Sequence, residues 1–420
     1  MIKFTLNLLY VYLYLLAKIQ KMTLKTLSFT SKIVLVSVLL LSCNKNGATG
    51  LFDGFSKNNT GINMVPNPTK FPPLSKTYKG SKKEAIERFF HKYWPNQNSN
   101  VSFLVAKDGE IIYENYSGLA NLRKKTPITA ETPIHLASVS KVLTATAILK
   151  LVNNGKLALD QKVTTLLKGF PYPEVTVRTL LNHRSGIRNY GYFTFEKGVW
   201  DKHKTLTNND LVKVMVSKKI NLEFKTNTRF SYCNTNYALL ALIIEKVTGE
   251  SYRTTMKKMI FDPLGMTHSF VFNYDTDRQN VTPSYKANNR EIGFDYLDAI
   301  YGDKNIYSTP RDLLKFDLAR NSPDFLTPEL RSEIYKGYSN EHKGIKNYGL
   351  GVRMIEWETG QKFYFHNGWW HGNMTSYVML KNENVSIIAL SNKCSKNVYK
   401  VRNLAPLFGD YPFKGIDEEE

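Results

Sequence analysis

Between Ser138 and Val152 the chain is apolar on nearly every face of a helical wheel, and the pattern stops at Asn153-Asn154-Gly155. A helix with no polar stripe cannot lie on a surface, so this one has to be enclosed by the rest of the fold. The chain can supply the enclosure. Its 420 residues are 42% hydrophobic and 13% aromatic, enough for one large core or two smaller lobes and too apolar for a disordered chain.

The same helix opens on Ser138-Val139-Ser140-Lys141. Residues three apart share a helical face, so the hydroxyl and the amine can meet. A serine hydroxyl is a weak nucleophile until a base takes its proton, and a lysine can be that base where its surroundings disfavour the charged form. The helix start adds partial positive charge and unpaired N–H groups beside any oxyanion. Two further short motifs follow. Tyr232-Cys233-Asn234 precedes an apolar helix beginning near Tyr237. A phenol can relay a proton and a carboxamide can hold both the lysine and a substrate amide, although Tyr232 could equally pack and Asn234 cap the helix. His366-Asn367-Gly368 stands at the end of a strand reading Phe363-Tyr364-Phe365. There Gly368 would leave room for substrate along the strand edge, and the N–H of Trp369 could form an oxyanion hole with that of Ser138. Alone, His366 reads as an ordinary strand-end histidine.

Around these motifs, an amphipathic helix is expected over Lys83–Phe90, then strands at Val101–Ala106 and Ile111–Tyr116 about a turn at Lys107–Glu110. Helical patterns dominate to about Phe270: Leu211–Val216, Tyr237–Val247 closed by Gly249, and Tyr252–Ile260 before Pro263. Strand-like runs return at Lys362–Phe365, Ser376–Leu380 and Val385–Leu390, before a last helical stretch at Lys396–Leu407. Sheet segments at both ends of a helical middle predict an α+β domain whose two ends share one sheet. Its α/β lobe is expected over residues 83–150 and 290–420, and its helical lobe over residues 150–290.

Residues 1–42 read as a targeting segment: Lys25 and Lys32 precede the apolar run Ile33–Leu41, and Leu40-Leu41-Ser42-Cys43 resembles a bacterial lipobox, with Cys43 acylated after cleavage. A start at Met22 would give this signal an ordinary length. The apolar run is shorter than the ~20 residues of a spanning helix. Residues 43–82, rich in Asn, Gly, Lys, Pro and Ser, read as a tether. The expected location is therefore the bacterial cell envelope, periplasmic or outer-membrane, with the membrane reached through the lipid. The formal charge of +21 is spread along the chain rather than massed, which with export argues against nucleic acid as a partner. Cys233 and Cys394 could pair, but two isolated cysteines are no disulfide framework and are expected as buried free thiols. No Cys or His spacing suggests a metal, and no cofactor is called for.

The three motifs, in this order, resemble those of the serine β-lactamases and penicillin-binding proteins, and within them the class C β-lactamase-like branch that includes esterases and D-amino-acid peptidases. The resemblance covers about Lys83 to Phe408. Leu180-Leu181-Asn182-His183-Arg184-Ser185-Gly186-Ile187, Pro263-Leu264-Gly265-Met266, Gly302-Asp303 with Ser308-Thr309, Tyr348-Gly349-Leu350-Gly351, and Gly155-Lys156-Leu157 with Leu159-Asp160 are further landmarks of it. It implies a β-lactamase/transpeptidase-like fold, an antiparallel sheet flanked by helices with a mainly helical second lobe. It also implies hydrolysis of an ester or amide through an acyl-enzyme on Ser138, activated by Lys141. Tyr232 would relay the proton, Asn234 would anchor the substrate amide, and His366 would be the third motif's polar group beside Gly368. The N–H groups of Ser138 and Trp369 would bind the oxyanion, and the role of His183 and Ser185 would be structural. The substrate would be a small ester or peptide, peptidoglycan-derived peptides among them. A non-catalytic, lipid-anchored protein that binds peptidoglycan peptides is the alternative. β-Lactamases commonly carry lysine where this chain has His366, so weak or absent β-lactamase activity is expected. Trp369 and Trp370 place aromatic surface beside the cleft or pack against the helical lobe.

Overall fold

A strand that is buried along its whole length must be covered on both faces, and three strands of this chain are of that kind. Val101–Lys107 (β1), Asn373–Leu380 (β6) and Val385–Ser391 (β7) expose almost nothing. With Glu110–Ser117 (β2), Lys346–Tyr348 (β3), Arg353–Glu356 (β4) and Lys362–Trp370 (β5) they form one seven-stranded sheet in the order β3-β4-β5-β6-β7-β1-β2. Every pairing in it is antiparallel. The pairing of β1 with β7, from Val101 opposite Ser391 to Lys107 opposite Val385, joins the two ends of the chain in one sheet, as the sequence predicts. The computed structural model describes residues 71–96, 99–341 and 344–414. The expected signal, Cys43 and most of the tether lie outside them. Among the described residues no helix is long and apolar enough to cross a membrane.

Alternation along β1 and β7 sends side chains into two separate cores. Phe103, Val105, Ile387 and Ala389 enter an outer core under helix α1 (Lys76–Tyr93) and the C-terminal 3₁₀ helix Lys396–Leu407. Leu104, Ala106, Ile388 and Leu390 enter the larger inner core, which holds helix α2 (Ser140–Asn153) and the helical region. α2 buries eleven of its fourteen residues, as its sequence requires. Helix α4 (Asn234–Thr248) packs against it, ending at Gly249 in the left-handed conformation (φ 72°). Helix α3 (Asn208–Ser217) lies beside α4 and starts in a capping box between Thr207 and Asp210. Helix α5 (Pro310–Asn321) crosses behind β7 and β1.

Several boundaries differ from the expectation. α1 begins at Lys76 rather than near Lys83, because the Ser75 hydroxyl caps it, accepting from the Tyr78 N–H at 3.2 Å, and Lys79 bonds Glu110 on β2 at 2.9 Å. Residues 76–82 are thus helix and not tether. β3 and β4 are additional strands. β5 does not end at Phe365 but runs on to Trp370, so the third motif lies inside a strand. Beyond Phe365 only β6 pairs with it, since β4 ends its pairing there, and the other edge of His366–Trp370 is left open. The stretch Tyr252–Ile260 breaks into a short α-helix, Tyr252–Met256, and one π-turn, Lys257–Phe261. Cys233 and Cys394 are free, and Cys394 is only partly buried.

Candidate active site

Ser138 sits on a 3₁₀ turn, Ala137–Val139, that leads into α2. Ala137 is held in the left-handed region (φ 48°), and its N–H bonds the ring of the buried His135 at 3.1 Å. This bend sets Ser138 partly buried at the helix entrance, while Lys141, one turn on, is fully buried. The Lys141 amine donates to Ser138 Oγ at 3.0 Å and to the carbonyl of Asp303 at 2.8 Å. No carboxylate among the described residues pairs with it. The rings of Tyr232 and Tyr237 stand 5.1 and 5.7 Å from it.

The Asp303 carbonyl is fixed by the segment that carries it. Thr144 of α2 donates to the Gly302 carbonyl at 2.7 Å, Ser140 Oγ accepts from the Ile306 N–H at 3.2 Å, and Asn305 bonds both His135 and the Asp298 carbonyl. Asp303 and Lys304, almost fully buried, meet the Tyr190 hydroxyl, which donates to Asp303 Oδ2 at 2.6 Å and accepts from Lys304 at 2.7 Å.

Tyr232 is framed by His183. The Ser231 N–H donates to the His183 carbonyl at 3.0 Å, the Cys233 N–H donates to His183 Nδ1 at 3.2 Å, and the imidazole lies 4.4 Å from the Tyr232 ring. Accepting at Nδ1 makes the ring neutral with its proton on Nε2, and burial, with Lys141 and Arg353 nearby, holds its pKa well below 6.5. Asn234 is the first residue of α4, and its Oδ1 is buried without a hydrogen-bond partner. The expected bond between Asn234 and Lys141 is not made; the Asp303 carbonyl takes that place. The unpaired oxygen leaves an acceptor for a donor from outside the chain.

His366 is completely buried. Its Nδ1 lies 2.8 Å from the Asn367 carbonyl, which can only accept, so Nδ1 carries the proton and Nε2 accepts from the Tyr348 hydroxyl at 3.1 Å. Burial, with Arg353 and Lys141 nearby, keeps it neutral, its pKa well below 6.5. A neutral ring facing inward offers no charge to an anion. Gly368 has a different reason from the one its motif suggests. A Cβ there would meet Thr375 Oγ1 at 2.3 Å, the Leu136 carbonyl at 2.5 Å and Ala137 Cβ at 3.0 Å, so glycine lets the serine-bearing turn press onto β5. Thr375 also donates to the Leu136 carbonyl at 2.7 Å. Trp369 is 69% exposed, whereas Trp370 turns inward, its Nε1 bonding Asp298 at 2.7 Å and its ring facing Lys304 at 4.6 Å. Trp369 is thus exposed, and Trp370 packs against the inner core beside Asp298 and Lys304 rather than on the helical lobe.

Arg353, which no motif marked, lies on β4 opposite Phe365, with its guanidinium 4.5 Å from the Tyr232 ring. No ion pair is recorded for it among the described residues. Its only sequence signal is a lone basic residue beyond the Tyr348-Gly349-Leu350-Gly351 landmark, too common a feature to single out. Asp295, Asp298 and His371 form a group that could hold a cation. Here, however, His371 Nε2 lies 3.0 Å from each Asp298 oxygen, and Trp370 and the Asp295 N–H occupy the same carboxylate.

A serine one helical turn from a buried lysine, with the Tyr232 ring 5.1 Å from that amine and an open strand edge alongside, on an antiparallel sheet flanked by helices, has the parts of a serine hydrolase. The particular kind follows from comparison with known proteins. The Beta-lactamase family matches residues 86–405. A penicillin-binding protein of Bacillus subtilis is 31% identical over 366 residues, covering 81% of this chain and 80% of its own. A D-aminopeptidase of Cereibacter sphaeroides is 26% identical, and the match spans 75% of this chain but 61% of that enzyme. The crystal structure of a penicillin-binding protein from Bacillus halodurans superposes with a TM-score of 0.67 at 24% identity, covering 77% of this chain and 99% of that one, which shows the shared fold. The chain belongs to the β-lactamase/transpeptidase-like family of serine hydrolases.

Proposed function

We propose that this hydrolase cleaves small esters or amides through an acyl-enzyme on Ser138. The observation that carries the reading is the 3.0 Å contact between the Lys141 amine and the hydroxyl of Ser138, a residue that is only partly buried. Lys141 takes the hydroxyl proton as Ser138 Oγ attacks the carbonyl carbon. The N–H groups of Ser138 and Trp369 receive the oxyanion. The C–O or C–N bond then breaks, and the leaving group gains its proton by way of the Tyr232 hydroxyl. Water attacks the acyl-serine by the same route in reverse, restoring the hydroxyl and releasing the acid. Asn234 Oδ1 accepts an N–H of the substrate. Arg353, which has no carboxylate partner among the described residues, supplies the cation that His366 does not, which favours peptide-like substrates ending in a free carboxylate, D-amino-acid peptides among them.

The test is turnover of p-nitrophenyl esters, D-alanyl-D-alanine peptides and a chromogenic cephalosporin, together with mass spectrometry of a fluorophosphonate adduct. Ser138→Ala and Lys141→Ala should each lower turnover by about 10³-fold or more while the fold persists, because the two act as a unit. Undiminished turnover in Ser138→Ala, or an adduct elsewhere, would overturn the proposal. Binding of peptidoglycan peptides without hydrolysis would favour the non-catalytic alternative. We further propose that Cys43 carries the lipid and that the enzyme works from the cell envelope; Cys43→Ala should release it from the membrane fraction.

A further inference from the structure

We propose that Tyr399, on the C-terminal 3₁₀ helix, is a positioning residue for the oxyanion hole. The inference rests on the hydrolase reading above, in which the Trp369 N–H is one of the two donors. The Tyr399 hydroxyl donates to the carbonyl of Gly368 at 2.8 Å. That carbonyl and the Trp369 N–H belong to one peptide unit, and a peptide unit is planar, so whatever sets the tilt of one sets the aim of the other. Hydrogen bonding to the carbonyl also polarises the unit and makes its N–H a better donor. A peptide beside an open strand edge needs such a support, because β4 no longer pairs with β5 beyond Phe365.

Tyr399 is well placed to give it. Its neighbours Val398, Val401, Leu404 and Ala405 are buried in the outer core, and Asn397 bonds the Tyr93 carbonyl at 2.7 Å, so the phenol projects from a fixed base. Burial raises its pKa to about 12, so it remains a donor at neutral pH. The other oxyanion donor is tied to the same sheet by a different bond, from Thr375 to the carbonyl of Leu136, two residues before Ser138. The two donors are thus referenced to adjacent strands, and Tyr399 links the geometry of the site to the last helix of the chain.

Tyr399→Phe removes the hydroxyl and keeps the ring. Deleting an oxyanion donor outright costs about 10²–10³ in kcat, so loosening one should cost less, about tenfold. The expected result with a p-nitrophenyl ester is a kcat about tenfold lower with KM within about twofold. Affinity for phenylboronic acid should fall in proportion: its boron gains the Ser138 oxygen and becomes tetrahedral, the serine proton leaving to Lys141. Tyr411→Phe is the control for a merely structural effect, since Tyr411 sits in the same outer core and bonds Glu383 instead. Unchanged kcat and boronate affinity in Tyr399→Phe, or an equal loss in Tyr411→Phe, overturns the inference and leaves the hydrolase reading standing. If the wild-type enzyme neither turns over ester nor binds the boronate, the hydrolase reading fails and takes this inference with it.

Discussion

Two of the three atoms that crowd the vacant Cβ position of Gly368, the Leu136 carbonyl oxygen and Ala137 Cβ, are fixed to the backbone and cannot rotate away. Gly368→Ala should therefore push the serine turn off β5, at a cost of roughly 1–3 kcal/mol in stability and a larger proportional loss in kcat. Thermal unfolding and ester kinetics on the same sample check this; a melting temperature and kcat both equal to wild type would refute it. At this scale the pair Ser138 and Lys141 was legible because their encounter is local, a matter of helical spacing. The Asp303 carbonyl, Arg353 and Tyr399 were not. One contributes a backbone atom that carries no residue signature, and the other two approach from strands and helices whose placement no short motif encodes.

The segment Gly302–Ile306 illustrates how an element rather than a residue holds the lysine. Gly302 has φ 94°, and a Cβ on it would come within 2.4 Å of the Tyr237 carbonyl and 2.7 Å of Ala241 Cβ on α4. Gly302→Ala should lift the segment from α4 and withdraw the Asp303 carbonyl from Lys141, destabilising the protein by roughly 2–4 kcal/mol and lowering kcat. Calorimetry paired with kinetics decides it: lost stability with full kcat would show that the carbonyl does not matter to Lys141. The buried helices and the opening hairpin of β1 and β2 could be read from the sequence, since periodicity and turn or glycine stops mark them. β3 and β4 could not, being three and four residues long with no run of alternation. The end of β5 was obscured for another reason: its polar residues His366 and Asn367 are satisfied by Tyr348 and Ser376, and its glycine faces the serine turn instead of core.

For the molecule as a whole, three histidines among the described residues are buried and neutral. Burial lowers the pKa of His135 to about 4 and holds His183 and His366 well below 6.5. In the unfolded chain all three titrate near 6.5, so below that pH the unfolded state binds more protons and stability falls as pH falls. Above pH 7 both states are neutral and these groups make no difference. With three protons taken up only on unfolding, the slope approaches roughly 4 kcal/mol per pH unit. Urea midpoints should thus be level from pH 7 to 8 and drop between pH 6.5 and 5, before carboxylate titration sets in; a level profile down to pH 5 would contradict it. The plan of the molecule, sheet segments at both ends of a helical middle, was predictable because hydrophobic alternation at the two termini needs a common partner.

The adjacency of β1 and β7 has a further bearing on how such a chain comes to be made. β1 has to wait for β7, which pairs with it from Lys107 opposite Val385 to Val101 opposite Ser391, so contacts of very long range close the sheet and folding should be correspondingly slow. A ribosome that stalls before Val385 releases a product with its central seam unfilled.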